Sequence, residues 1–180
     1  SRKLSGRLYC GGQEHFYLEG QAALAIPGED GDIQLYASTQ HPSEIQHKVA
    51  EMLGVSSHAV TVETRRMGGA FGGKESQGNL PALTAALAAH LTGRPAKTVY
   101  DRDDDFMLTG KRHDFRIDYE VGFDDDGRLK AVFFDQALRC GMSWDLSAAI
   151  AARAMCHADN AYDIPHMRIK SYCCLTHTQS

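Results

Sequence analysis

The chain has 180 residues, of which 43% are apolar and 23% charged, with a formal net charge of -4, an ordinary globular balance with enough length for one large domain or two small ones. No basic block offsets the acidic excess, which argues against a nucleic-acid partner, and no apolar run approaches the roughly 18–20 residues of a membrane span, nor does a signal peptide open the chain. The five cysteines, at positions 10, 140, 156, 173 and 174, form no C-x-x-C pair; that irregular set suits a reducing cytoplasm better than a disulfide framework, a zinc site or an iron–sulfur cluster.

Residues 1–6 are short and polar and read as a disordered lead. Gly11-Gly12-Gln13-Glu14-His15 punctuates the chain before a strand over 16–26. Pro27 to Gly31 is a turn, and Ile33 to Ala37 alternates as the returning strand of a hairpin. A helix opens at Pro42-Ser43-Glu44 with Ser43 as its cap, shows Ile45, Val49, Met52 and Leu53 at helical spacing, and ends at Gly54. A strand over 59–65 leads into a glycine-rich loop, followed by an apolar helix over 80–91 that Gly93 and Pro95 stop. Lys97 to Tyr100 is a short strand, and Asp101 to Gly110 a turn of helix with acids in its first turn. Strands over 115–121 and 129–138 form a hairpin around Asp124-Asp125-Asp126-Gly127. An alanine-rich helix over 148–157 and a strand over 167–175 complete the series.

The expected fold is α+β, mixed sheets and hairpins with a few packed helices and a βαβ-like centre around the glycine loop. The sequence stops at Thr178-Gln179-Ser180 directly after a strand, and 7–180 therefore reads as part of a larger domain truncated at its C-terminus.

The glycine loop, Met67-Gly68-Gly69-Ala70-Phe71-Gly72-Gly73-Lys74-Glu75, sits between a strand and a helix, where backbone N–H groups and a helix N-terminus suit an anionic or strongly polar group. Gly68-x-x-x-x-Gly73-Lys74 nearly spells a phosphate-binding P-loop. Position 75 should then carry a Ser or Thr hydroxyl for Mg²⁺; it holds Glu75, whose carboxylate repels phosphate. A P-loop-like nucleotide-binding domain and a non-catalytic scaffold module stand as alternative readings of the chain.

The segment Gly11-Gly12-Gln13-Glu14-His15-Phe16-Tyr17-Leu18-Glu19, the glycine loop, and 140–165 occur in an order that closely resembles the molybdopterin-binding subunit of the molybdenum hydroxylases, specifically the xanthine dehydrogenase branch. The first two motifs are highly specific as a pair, and the resemblance covers 8–180. It implies a molybdopterin cofactor-binding domain type of fold and a cofactor of molybdenum with molybdopterin. It also implies a reaction that inserts water-derived oxygen into a C–H bond of xanthine or hypoxanthine, with urate as end product. Electrons would leave through iron–sulfur clusters and FAD carried elsewhere in the complex.

By the same resemblance Gln13 brings its amide beside the molybdenum's oxo ligand, adding no charge to the metal. Phe71 and Gly72 lie against the cofactor with their backbone, where a glycine leaves room for close approach; Ala70 stands where relatives often carry Gly. Gln13 and Phe71 are thus the residues at the molybdenum centre. Glu75 matches the glutamate that hydrogen-bonds the purine in xanthine-type enzymes, where aldehyde oxidases tend to carry an apolar residue, and can stabilise charge developing in the ring. The family's arginine, purine-stacking aromatics and glutamate base lie beyond position 180. The implied partners are a purine substrate, the remainder of the molybdenum subunit and the iron–sulfur/FAD subunit, with no nucleic acid and no membrane. The chain alone is expected to be inactive, to hold no cofactor and to self-associate through apolar surface. The nine histidines are scattered; Asp103-Asp104-Asp105 and Asp124-Asp125-Asp126 invite a calcium reading, but the second lacks the twelve-residue spacing and terminal Glu of a calcium loop and reads as a hairpin turn.

Overall fold

The computed structural model describes residues 2–179. They divide into two compact units, 15–110 and 2–14 with 111–179.

In the His15–Gly110 unit the expected hairpin is present. Strands β2 (Ala22–Pro27) and β3 (Ile33–Ala37) pair antiparallel, with Ala23 opposite Ala37 and Pro27 opposite Ile33. The strand expected from Phe16 starts six residues later. Phe16 takes a left-handed φ of 52°, and Tyr17 and Gln21 are buried as polar anchors, so 16–21 is an irregular arm.

Helix α1 (Pro42–Leu53) begins one residue before the predicted cap, because Pro42 fits the first helical position and His41 takes the cap place from Ser43. Gly54 closes the helix with φ 68°. Strand β4 (Val60–Glu63) returns parallel to β3. Helix α2 (Asn79–Thr92) turns Ala82, Ala85, Ala86 and Ala89 to the core, small side chains that let it lie close to the sheet. Strand β5 (Ala96–Val99) pairs antiparallel with β2, and the sheet order is β4-β3-β2-β5. Leu35, Ile45, Val49 and Val60 are completely buried in this core, each contributing about 1.5–3 kcal/mol. Helix α3 (Arg102–Leu108) is capped by Asp101, whose carboxylate accepts from the Asp104 amide at 2.8 Å.

The βαβ centre is displaced from the place predicted for it. It is β3–α1–β4, two adjacent parallel strands, and the glycine loop comes after it, leading from β4 through α2 to β5 at the opposite edge.

In the second unit the order is β1-β6-β7-β8. Strands β6 (Phe115–Phe123) and β7 (Leu129–Gly141) form the predicted hairpin. Its turn is closed by Asp124, whose Oδ1 accepts the Asp126 and Arg128 amides at 3.1 and 2.9 Å. Helix α4 (Ser147–Cys156) connects β7 to β8 (His166–Leu175), which runs parallel to β7, a crossover that the sequence pattern does not announce. Residues 2–6 correct the expectation of a disordered lead: they belong to β1 (Arg2–Cys10), which pairs antiparallel along all of β6. Their polarity misled because the strand lies exposed at the sheet edge and one of its faces carries ion pairs, Lys3 with Glu120 at 2.6 Å and Arg7 with Asp118 at 2.5 Å. One sheet face carries apolar rows such as Leu4, Val121, Val132 and Met167, and the other carries Arg7, Asp118, Asp135 and Lys170. At the start of α4 the buried Ser147 hydroxyl meets Nε2 of the buried His113 at 2.8 Å.

Candidate functional site

The loops after β3 and β4 leave the carboxyl ends of two adjacent parallel strands, the place where open α/β sheets collect ligands. The first is Ser38-Thr39-Gln40-His41 and the second contains the glycine loop. Three residues with left-handed backbone shape the glycine loop. Gly69, Phe71 and Gly72 have φ of 94°, 55° and 91°, left-handed values that glycine adopts freely and a bulky residue rarely does. Phe71 therefore stands strained and 75% exposed at the loop's tip, and strain held at such a place is a mark of functional sites. Ala70 is buried beneath it.

The underside of the loop has no spare room. A Cβ on Gly73 would lie 2.7 Å from both His15 Cγ and Tyr17 Cε1, and one on Gly68 would lie 2.6 Å from Glu19 Cβ. The loop is also held by hydrogen bonds from below. Glu19 Oε2 accepts the Gly68 amide at 2.9 Å, Gln40 Oε1 accepts the Gly72 and Lys74 amides at 3.2 Å each, and Gln21 Nε2 donates to the Gly73 carbonyl at 2.8 Å.

Lys74 decides between the two readings of the glycine pattern. Its side chain is 0% exposed, its ammonium donates to Ser38 Oγ at 2.8 Å and Glu19 Oε2 at 3.3 Å, and it sits 4.6 Å above the Tyr17 ring. Burial pulls its pKa down, and the Glu19 carboxylate pulls it back up in part. In a P-loop this lysine and the surrounding amides face the phosphates. Here the ammonium points into the core, and the amides of Gly68, Gly72, Gly73 and Lys74 are already taken, by Glu19, Gln40, the Ala70 carbonyl and Gln40 respectively. The P-loop alternative is therefore set aside.

Tyr17 joins this buried cluster to α3. Its hydroxyl donates to Asp105 Oδ1 at 2.7 Å and accepts from Gln21 Nε2 at 3.0 Å. Burial first, and the Asp105 carboxylate second, push its pKa well above the usual phenol value.

Of the residues the sequence singled out, Phe71, Gly72 and Glu75 share this loop. Glu75 is half-buried, and its carboxylate has no hydrogen bond or ion pair among the described residues. Gln13 belongs to the other unit. There it pairs with Arg112 through both backbone bonds, at 3.2 and 2.9 Å, and its Oε1 accepts from Arg112 Nη1 at 2.5 Å.

A second glutamine is not singled out by the sequence. Gln40 is exposed and its oxygen is occupied by two loop amides, so its NH₂ is the part left to donate outward, next to Gly72. The signal that points to it is its position, a polar Ser-Thr-Gln run directly after a strand that has a parallel neighbour.

These residues fit a metal group that brings its own ligands. They offer a neutral amide donor, an open approach at Gly72, whose added Cβ would meet only His15 Nε2 at 4.0 Å, and one unpartnered carboxylate. Among the described residues no group of three or more His, Cys, Asp or Glu is arranged to hold a bare metal ion.

The comparisons with known proteins accord with that fit. The chain belongs to the molybdopterin cofactor-binding domain family, which matches residues 1–180. Within it the chain is similar to xanthine dehydrogenase of Calliphora vicina, 44% identical over 175 residues, and to xanthine dehydrogenase/oxidase of Rattus norvegicus, 46% identical over 178 residues. Those alignments cover 97% and 98% of this chain, and the chain spans 13% of the length of either relative. Among solved structures the fold is similar to aldehyde oxidoreductase from Desulfovibrio gigas, with TM-score 0.88 and 23% identity over 99% of this chain and 19% of that one. It is also similar to quinoline 2-oxidoreductase from Pseudomonas putida 86, with TM-score 0.85 and 22% identity over 99% of this chain and 23% of that one. The α+β architecture with two mixed sheets is the fold of these neighbours.

Proposed function

We propose that the chain supplies one wall of the molybdenum site of an enzyme that hydroxylates xanthine or hypoxanthine, as part of a longer polypeptide of the xanthine dehydrogenase type. The observation that carries the reading is the loop itself: Phe71 strained and exposed, Gly72 open beside it, a glutamine amide next to them, and the unpartnered Glu75 carboxylate in the same loop. Its support from relatives is the identity of 44–46% to proteins named xanthine dehydrogenase.

When bound, molybdopterin would supply a metal centre able to place water-derived oxygen on a carbon atom. The chain's own residues then have separable tasks. Phe71 and Gly72 let the backbone approach the group closely. The Gln40 NH₂ donates to an acceptor on the group without adding charge, its own oxygen being fixed by the loop. Gln13 is the other candidate for that donor, from the family resemblance, and its oxygen is likewise fixed, by Arg112. Glu75 accepts a purine ring N–H, or donates when protonated, and so selects a heterocycle over an aldehyde. Iron–sulfur and FAD centres, carried elsewhere in the complex, take the electrons. The location is the cytoplasm, in keeping with five unpaired cysteines. Among the described residues no helix is long and apolar enough to cross a membrane.

The test is Glu75→Ala in the intact enzyme. Xanthine turnover is expected to fall by about a hundredfold or more, the scale of removing one group that stabilises developing charge, while molybdenum content stays at the wild-type level. Unchanged kinetics with xanthine would remove Glu75 from the site.

A further inference from the structure

Lys74 is an ammonium completely enclosed in protein. A methionine would fill much the same space without the desolvation penalty of a buried charge, so the reason for a lysine lies in what its ammonium and its backbone hold. Its carbonyl accepts the Gln40 amide at 2.8 Å and the Thr39 hydroxyl at 3.0 Å. Its own amide donates to Gln40 Oε1 at 3.2 Å, and its ammonium donates to Ser38 Oγ at 2.8 Å. One residue thus grips Ser38, Thr39 and Gln40 in succession. The ammonium's second partner, Glu19 Oε2, also accepts the Ser38 hydroxyl at 2.8 Å and the Gly68 amide at 2.9 Å. The arm at 17–21, the loop after β3 and the glycine loop meet at this one charge pair, over the Tyr17 ring.

We propose that Lys74 is a positioning residue. From below the glycine loop it locks the Ser38–Gln40 segment so that the Gln40 amide presents its NH₂ outward beside Gly72 in a single orientation. The proposal rests on Gln40 being the donor to the bound group, and it adds what sets that amide. An exposed glutamine has rotamers to spare; two backbone donors on its oxygen select one of them only while those donors keep their spacing. The Gly72 and Lys74 amides are two residues apart in a loop rich in glycine, and the buried ammonium is what ties that loop to the strand end. Preorganisation of this kind, with a donor held in place by a buried partner, is how a site keeps its geometry within a fraction of an ångström.

The experiment uses the intact enzyme carrying Lys74→Met, with Ser38→Ala as a milder variant should Lys74→Met fail to fold. Crystal structures of the variant and the parent are compared at the Gln40 amide. The proposal expects the amide to lose its pairing with the Gly72 and Lys74 amides, seen as a second orientation or a displaced side chain, with the α1 and α2 core unchanged. A Gln40 amide in its original orientation overturns it. Kinetics supply the second readout through a double-mutant cycle. Gln40→Ala is expected to lower kcat about tenfold or more on its own, and less than about twofold when added to Lys74→Met, because residues acting through one another are not additive. Full additivity of the two losses overturns the link. Gln40→Ala with unchanged kcat sinks the reading of Gln40 as the donor, and the crystallographic comparison still decides whether Lys74 sets its orientation.

Discussion

The substitution Tyr17→Phe isolates the hydrogen bonds that join α3 to the underside of the glycine loop. Tyr17 is 1% exposed and its partner Asp105 is also 1% exposed, so neither group has water to fall back on. Phenylalanine keeps the ring beneath Gly73 and Lys74 and removes only the hydroxyl. Asp105 Oδ1 then loses a donor at 2.7 Å, and Gln21 Nε2 loses an acceptor at 3.0 Å while keeping the Gly73 carbonyl. Removing a hydrogen bond to a buried charged group destabilises by about 1.5–3 kcal/mol. Arg102 Nη1, 3.6 Å from Asp105 Oδ2, relieves part of the carboxylate's loss, which places the expected value near about 2 kcal/mol. Urea unfolding followed by far-ultraviolet circular dichroism measures it as a lower midpoint at unchanged slope. Tyr162→Phe, at a position 68% exposed, is the control and should stay within about 0.5 kcal/mol of the parent. A Tyr17→Phe loss no larger than the control's would show that the Tyr17–Asp105 bond contributes nothing net, and the account of a rigid support beneath the loop would fail with it.

Two further outcomes are expected. Gln40→Ala should reduce turnover of the intact enzyme about tenfold or more, as removal of a positioned donor does, with Gln13→Ala having the smaller effect; the reverse order would return the donor's role to Gln13. His113 gives a pH signature: burial holds its pKa below the ordinary value of 6.5, against the pull of Asp145 and Asp114. The unfolded chain therefore binds the proton first as pH falls, so stability should decline as pH drops from about 6.5 toward the folded-state pKa. His113→Asn should flatten that part of the urea-midpoint curve between about pH 5 and 7, and an unaltered curve would exclude His113 as its source.

Much of the fold was legible because its signals are local. The β2–β3 and β6–β7 hairpins announced themselves through alternation around Gly-containing turns, and α1 and α2 through helical spacing ended by Gly54 and Gly93, both left-handed in the structure. What escaped was non-local. Nothing in the sequence near β7 or β8 says that they are parallel neighbours, since that pairing is made through α4. The first strand was missed because its ion pairs with Asp118 and Glu120 are made more than a hundred residues away. At the site, the four glycines within 68–73 between a strand and a helix marked the loop, and the unusual Glu after Gly73-Lys74 argued correctly against a P-loop. Gln40 went unmarked because its significance depends on two amides that are distant in sequence. The burial of Lys74 has no local sign either, because Glu19 and Ser38, which close over it, lie far away along the chain.

Anomalous diffraction at the molybdenum absorption edge, recorded from crystals of the intact enzyme, addresses the central claim most directly. The account predicts that the peak which appears on crossing the edge lies on the outer side of the loop next to Phe71 and Gly72, with the Gln40 NH₂ within hydrogen-bonding reach of the group that carries it. A molybdenum peak, identified by its change across that edge, lying far from this loop would contradict the account.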